Sequence, residues 1–135
     1  MCGIAGIIDI SSSPQKPLME KMCGIMKHRG PDGEGYYLNN QAALGHRRLS
    51  IIDLESGKQP MSNEDGTIWI TYNGEVYNFP ELKKELQEKG HKFKTRSDTE
   101  TIVHAYEEYG VKCLEKLRGM FAFGIWDDKK KRLFL

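Results

Sequence analysis

Met1-Cys2-Gly3-Ile4-Ala5-Gly6 opens the chain, and the cysteine in second place decides how the rest is read. Removal of Met1 would leave Cys2 as the terminus, with a thiol and a free α-amine on one two-carbon frame. Cys2 is small, as removal of an initiator methionine requires. In model peptides the amine titrates near ~8 and the thiol near ~8.5, so at neutral pH the amine can accept the thiol proton, directly or through one water. Nucleophile and base then share one residue and no histidine is needed. The competing reading is an inert cysteine buried on an apolar first strand, where most free cysteines lie. Position alone does not separate the two.

The bulk properties narrow the field. A chain of 135 residues fits one core. Its 20 Lys and Arg balance 19 Asp and Glu, a net of +1, so neither nucleic acid nor a membrane surface is expected as partner. Lys129-Lys130-Lys131-Arg132 follows Asp127-Asp128 and reads as a solvated hairpin tip. No run of ~18 apolar residues and no signal sequence appears, which points to the cytoplasm. Cys2, Cys23 and Cys113 form no CxxC or other metal spacing and read as reduced thiols. No metal site is expected.

Along the chain, Gly3 to Ile10 reads as a buried strand. Pro17 opens a helix carrying Leu18, Met22 and Met26, with Cys23 in the core. After the glycine-rich loop His28 to Gly33 come a strand to Leu38, a turn at Asn39-Asn40 and a returning strand to His46. A second apolar run follows from Arg47 to Leu54. Ile68, Ile70 and Tyr72 share one face of a strand that Asn73-Gly74 is expected to end. Asn78 with Glu81 resembles a capping box for a helix closed by Gly90. Phe93 to Thr95 is expected as a short strand, and Asp98 as the cap of a helix bearing Ile102, Tyr106 and Tyr109. A short helix to Leu117, a strand from Met120 to Trp126 and a final hairpin complete the pass. Strands, paired helices and strands again predict an α+β fold with helices covering a layered sheet. The chain stops on an apolar strand, and is expected to be a fragment of a longer protein.

Six segments together resemble one family, in order and in register. They are the opening hexapeptide, His28-Arg29-Gly30-Pro31-Asp32-Gly33, Gly45 to Leu54 with Gln59-Pro60-Met61, Tyr72 to Asn78, Ser97-Asp98-Thr99-Glu100, and Gly119 to Phe123. They are similar to the glutaminase domain of class II glutamine amidotransferases, and within that group to the glutamine-hydrolysing asparagine synthetases. The resemblance implies a four-layer αββα N-terminal-nucleophile sandwich, C-terminally truncated here, with residues 1–135 as its N-terminal part. The rest of that domain and an ATP-dependent synthetase domain would lie elsewhere in the full chain.

The same resemblance implies the chemistry. Cys2 attacks the amide carbon of L-glutamine, and its own amine shuttles the proton. The Asn73 side chain and the Gly74 N–H form the oxyanion hole, although Asn-Gly on its own also suits a hairpin turn. Arg48 holds the α-carboxylate, since a guanidinium offers two parallel hydrogen bonds. Leu49, Ser50, Ile51 and Ile52 line the pocket, and Glu75 and Asp98 take the α-ammonium. Arg47 should point the other way on its strand. Histidines 28, 46, 91 and 104 read as structural. No cofactor is implied for this domain; ATP and Mg belong to the synthetase domain. L-glutamine and that synthetase domain are the implied partners, with a homodimer left open. Two alternatives stand beside this reading: a related amidotransferase with a sugar or peptide acceptor, and a truncated glutamine-binding fragment without turnover.

Overall fold

Strand β1 (Gly3–Ile8) lies antiparallel to β3 (Ala42–Arg48), with Gly3 opposite Arg47 and Ile8 opposite Ala42. Strand β2 (Gly33–Leu38) pairs on the other side of β3, which is therefore the middle strand of three. These relations come from a computed structural model, which describes residues 1–50 and 57–135. Alternation along β3 sorts its residues between two layers. Ala43 packs against Met19 and Cys23 of helix α1 (Lys16–Ile25), while Ala42 and Leu44 pack with Trp126 of a second sheet. Gly45 also lies under the helix: a Cβ there would sit 2.5 Å from both the Cys23 and the Met19 sulfur. That close seat explains why Met19 and Cys23 form the buried face of α1, rather than the expected stripe that began at Leu18. Leu18 and Ile25 are exposed.

The second sheet has the order β4 (Met61–Ser62), β5 (Ile68–Val76), β6 (Gly119–Asp127), β7 (Arg132–Phe134), all antiparallel. Ile68, Ile70 and Tyr72 face outward, as expected from their spacing. They meet Leu82 and Leu86 of α2 (Phe79–Glu88) and Ile102, Val103 and Tyr106 of α3 (Asp98–Tyr109) in the largest core. The inner face of β5 looks back at the first sheet, where Trp69 stacks on Tyr37 with ring centroids 4.3 Å apart. The layers therefore run α1, sheet, sheet, α2 with α3. This is the αββα sandwich that the resemblance implied. No helix among the described residues is long and apolar enough to cross a membrane.

Several local expectations give way to tertiary bonding. Asn73-Gly74 does not end β5; the strand runs on to Val76, with Asn73 opposite Ala122 and Gly74 opposite Phe121. Gly74 is needed for close approach, since a Cβ there would lie 2.3 Å from the Met120 carbonyl oxygen. Residues 93–95 form no strand: the Glu100 carboxylate takes the N–H groups of Lys94 and Thr95, at 2.8 and 2.7 Å, that a ladder would need. Asn78 makes no cap bond, because its amide bridges to the Lys116 carbonyl and the Arg118 N–H at 2.9 and 2.8 Å. The α3 cap is Ser97, which accepts from Thr99 N–H, and Asp98 is the first helical residue. The short helix after α3 is a 3₁₀ helix, Gly110–Lys116. Strand β1 is an edge, so Ile8 is part-exposed and Ile10 lies beyond it in solvent. The run expected from Arg47 to Leu54 continues into 51–56, outside the described residues. At the basic hairpin tip, Lys129 and Lys131 pair with Asp65 and Asp128 on the surface.

His46 lies buried between the two sheets. The Thr71 hydroxyl donates to the Gly45 carbonyl at 3.0 Å, so it accepts from His46 Nδ1–H at 3.2 Å, and Nε2 is left without a hydrogen-bond partner. Burial, reinforced by the Arg48 charge, pulls the imidazole down to about 4 from 6.5. The unfolded chain then binds a proton that the folded one refuses between those values. Stability is expected to fall as pH drops from 6.5 towards 4, by about 3 kcal/mol in all. Denaturant titrations across this range should show the slope in the parent and a flatter one in His46→Gln.

Candidate active site

The pairing of Gly3 with Arg47 lays the start of the chain beside the end of β3. Cys2 thereby meets Leu49: the Leu49 N–H donates to Cys2 Sγ at 3.3 Å, and the thiol reaches the Leu49 carbonyl at 3.6 Å. Arg29 Nε donates to the Cys2 carbonyl at 3.2 Å and holds the backbone in place. The sulfur is half-buried at the wall of a pocket of about 440 Å³.

Three walls complete that pocket. The end of β3 contributes Arg48, whereas Arg47 turns to the opposite face, bonds the Gly30 carbonyl at 3.1 Å and pairs with Glu34. Strand β5 contributes Asn73, Gly74 and Glu75, and β6 the apolar Met120, Phe121 and Ala122. The N-terminus of α3 contributes Asp98. Its Oδ2 accepts from the Tyr72 hydroxyl at 2.7 Å and the Val76 N–H at 3.0 Å. Burial, with the Asp98 charge adding to it, pushes the Tyr72 phenol far above its ordinary value, so it stays a donor.

Strand β5 also places a backbone donor. Along one strand alternate N–H groups point to the same edge. The Tyr72 N–H on that edge goes to Gln59 Oε1 at 2.7 Å and the Val76 N–H goes to Asp98. The Gly74 N–H lies between them, on the edge that β4 covers only opposite Trp69 and Ile70. A side-chain amide donor, Asn73, stands next to it.

Of the residues expected to bind substrate, the fold brings Cys2, Arg48, Leu49, Asn73, Gly74, Glu75 and Asp98 to one pocket. Ser50 is not among its lining residues, and its N–H donates to Asp32 Oδ2 at 2.8 Å. Ile51 and Ile52 lie outside the described residues. Sequence reasoning placed Gln59-Pro60 in a loop at the pocket mouth and gave no site role to Tyr72 or Thr99. Tyr72 carried a signal, a hydroxyl on an otherwise apolar stripe that must find a partner once buried. The bond from Gln59 to the Tyr72 N–H carried none, because it follows from the shortness of β4. No histidine is among the described lining residues, and an amine at Cys2 itself would lie beside the sulfur.

A pocket with a thiol at one wall, a guanidinium and two carboxylates around it, and paired N–H donors suits an amino acid bearing a side-chain acyl group. The whole chain, residues 1–135, matches the family described as a glutamine amidotransferase domain. The chain belongs to that family. Asparagine synthetase [glutamine-hydrolyzing] 1 of Bacillus subtilis is 45% identical over 99% of this chain. Asparagine synthetase [glutamine-hydrolyzing] 1 of Arabidopsis thaliana is 46% identical over 96%. The family chain described here spans 22% of the length of each of these relatives. Among solved structures, glutamine phosphoribosylpyrophosphate amidotransferase from B. subtilis, complexed with ADP and GMP, shares the fold. Its TM-score is 0.68 at 22% identity, over 94% of this chain and 35% of that one.

Proposed function

We propose that this domain hydrolyses the side-chain amide of L-glutamine. Met1 lines the pocket, so its removal both frees the Cys2 amine and vacates space for substrate. Arg48 then takes the α-carboxylate of glutamine, and Glu75 with Asp98 the α-ammonium. The amine accepts the thiol proton and sulfur attacks the amide carbon. Negative charge gathers on the former carbonyl oxygen, held by the Asn73 side-chain N–H and the Gly74 N–H. The carbon–nitrogen bond breaks as the protonated Cys2 amine returns its proton to the departing nitrogen, giving ammonia and a thioester. Water, deprotonated by the same amine, attacks the thioester and releases glutamate.

The observation that carries this reading is the convergence of Cys2, Arg48, Asp98 and the Gly74 edge of β5 on one pocket. In the full-length protein we assign the ammonia to ATP-dependent conversion of aspartate to asparagine, on the strength of relatives matched over nearly the whole of this chain. That step, with its ATP and Mg, belongs to a synthetase domain outside these residues, and residues 1–135 to the N-terminal part of the glutaminase half. A sugar or peptide acceptor has no comparable support, nor has a binding module without turnover.

The test combines mass spectrometry of the mature terminus with an assay of glutamate release. A folded protein that has lost Met1 and releases no glutamate from glutamine overturns the proposal. The same assay checks Arg48→Lys. A lysine cannot make the two parallel bonds, so KM for glutamine should rise roughly 10- to 100-fold with kcat changed much less.

A further inference from the structure

Three segments meet on the flank of α3, at residues that do not line the glutamine pocket. Glu64 comes from the turn between β4 and β5, His91 from the loop after α2, and His104 with Glu107 from α3 itself. Glu107 Oε2 lies 3.3 Å from His104 Nδ1 and 3.5 Å from His91 Nδ1, and Glu64 Oε2 lies 3.8 Å from His104 Nδ1. One ligand atom each of His91, His104 and Glu107 falls within 4.8 Å of the others. A tetrahedral ion bound at ~2.0–2.2 Å separates its donors by about 3.3–3.5 Å. The spacing around Glu107 matches those edges.

The far nitrogens are also prepared. His91 Nε2 stands 3.1 Å from Glu108 Oε2, and Lys89 holds that carboxylate at 3.0 Å. His104 Nε2, buried and without a hydrogen-bond partner, stands 3.7 Å from Glu100 Oε1, whose carboxylate the Lys94 and Thr95 N–H groups fix. A metal-bound imidazole characteristically presents its other N–H to a carboxylate in this way. When each far nitrogen carries the proton, each near nitrogen aims a lone pair at Glu107, and acceptor faces acceptor. A cation between them, or a second proton on each ring, relieves that contact while each far nitrogen keeps its proton. Four carboxylates (Glu64, Glu100, Glu107 and Glu108), against Lys89 and the Lys129 that faces Glu107, favour positive charge here.

We propose that His91, His104 and Glu107, with Glu64 beside them, form a binding site for a divalent transition ion of the zinc class. Two imidazoles and carboxylate suit zinc or cobalt, whereas calcium and magnesium prefer oxygen alone. The expectation of no metal rested on cysteine spacing, on histidines read as structural and on Glu34, Glu64 and Asp65 giving no reason to invoke one, whereas these ligands come from segments that only the fold assembles. The ion would tie the β4–β5 turn and the loop after α2 to α3. Glu100, behind His104, sits in the same helical turn as Asp98 of the pocket. Imidazole and carboxylate ligate only when deprotonated at the donor atom, so affinity rises with pH.

The test titrates Co²⁺ into the full-length protein carrying Cys2→Ser, which removes the pocket thiol as a competing ligand, and follows the visible absorption of four-coordinate cobalt. The parent is expected to bind one saturable equivalent more than either His91→Ala or Glu107→Gln. Glu108→Gln should keep the site with affinity lowered ~10- to 100-fold. Zn²⁺ should raise the melting temperature of the parent and not of the first two variants. Both replaced side chains reach the surface, and unchanged circular dichroism confirms that the variants fold. Equal stoichiometry in parent and variants, or no saturable binding below millimolar Co²⁺, overturns the proposal.

Discussion

Replacing Cys2 with alanine is expected to reduce glutamate release on the order of 10⁴-fold or more, while glutamine still binds. Alanine is as small as cysteine, so Met1 should still be removed and the terminal amine kept. The variant therefore deletes the sulfur alone. Without it no thioester forms, and water must attack the amide with only oriented donors to help. Loss of a nucleophile that acts as a unit with its base removes nearly all of the catalysis the pair provides. Binding is a separate matter, since Arg48, Glu75 and Asp98 lie on β3, β5 and α3 and owe nothing to the thiol. Single-turnover glutamate release and equilibrium binding of glutamine, measured on the same preparation, check both halves. Turnover within about tenfold of the parent would show that the sulfur is not the nucleophile.

Much of this site was legible because it is written locally. A cysteine in second place, and carboxylates and a guanidinium inside recognisable segments, keep their chemistry wherever the chain puts them. The strand period of two also served well: it separates Arg48, in the pocket, from Arg47, which pairs with Glu34 on the other face. The α+β class followed from the order of strands and helices, and the four-layer sandwich from the family resemblance.

What could not be read depends on bonds between distant segments. Asn-Gly is a turn signal in isolation, yet β6 pairs with β5 straight through it, and the missing side chain of Gly74 makes room for Met120. Asn78 has a helix-capping pattern but spends both ends of its amide on residues 116 and 118. Glu100 takes N–H groups that would otherwise have built a strand at residues 93–95. The Tyr72–Asp98 bond joins a strand and a helix separated by 26 positions. Composition and periodicity report which face a residue wants. They say nothing of the partner that waits there.

Asn73→Ala is expected to lower kcat for glutamine hydrolysis by about 10²- to 10³-fold, with KM moved little. A single strand carries both of the proposed oxyanion donors, one on a side chain and one on the backbone, and truncating Asn73 removes only the first. Its partner across the sheet is Ala122, so the substitution leaves the β5–β6 ladder intact. The substrate's charged end is proposed to be held elsewhere, by Arg48, Glu75 and Asp98, which is why ground-state binding should survive. The effect must then appear where charge develops on the amide oxygen, in both the acylation and the hydrolysis of the thioester. Asn73→Asp sharpens the test. It keeps the shape but puts a carboxylate beside the developing negative charge, and should be at least as damaging as alanine. Should Asn73→Ala raise KM and spare kcat, the side chain would be a substrate anchor, and the Gly74 N–H would have to hold the oxyanion with another donor.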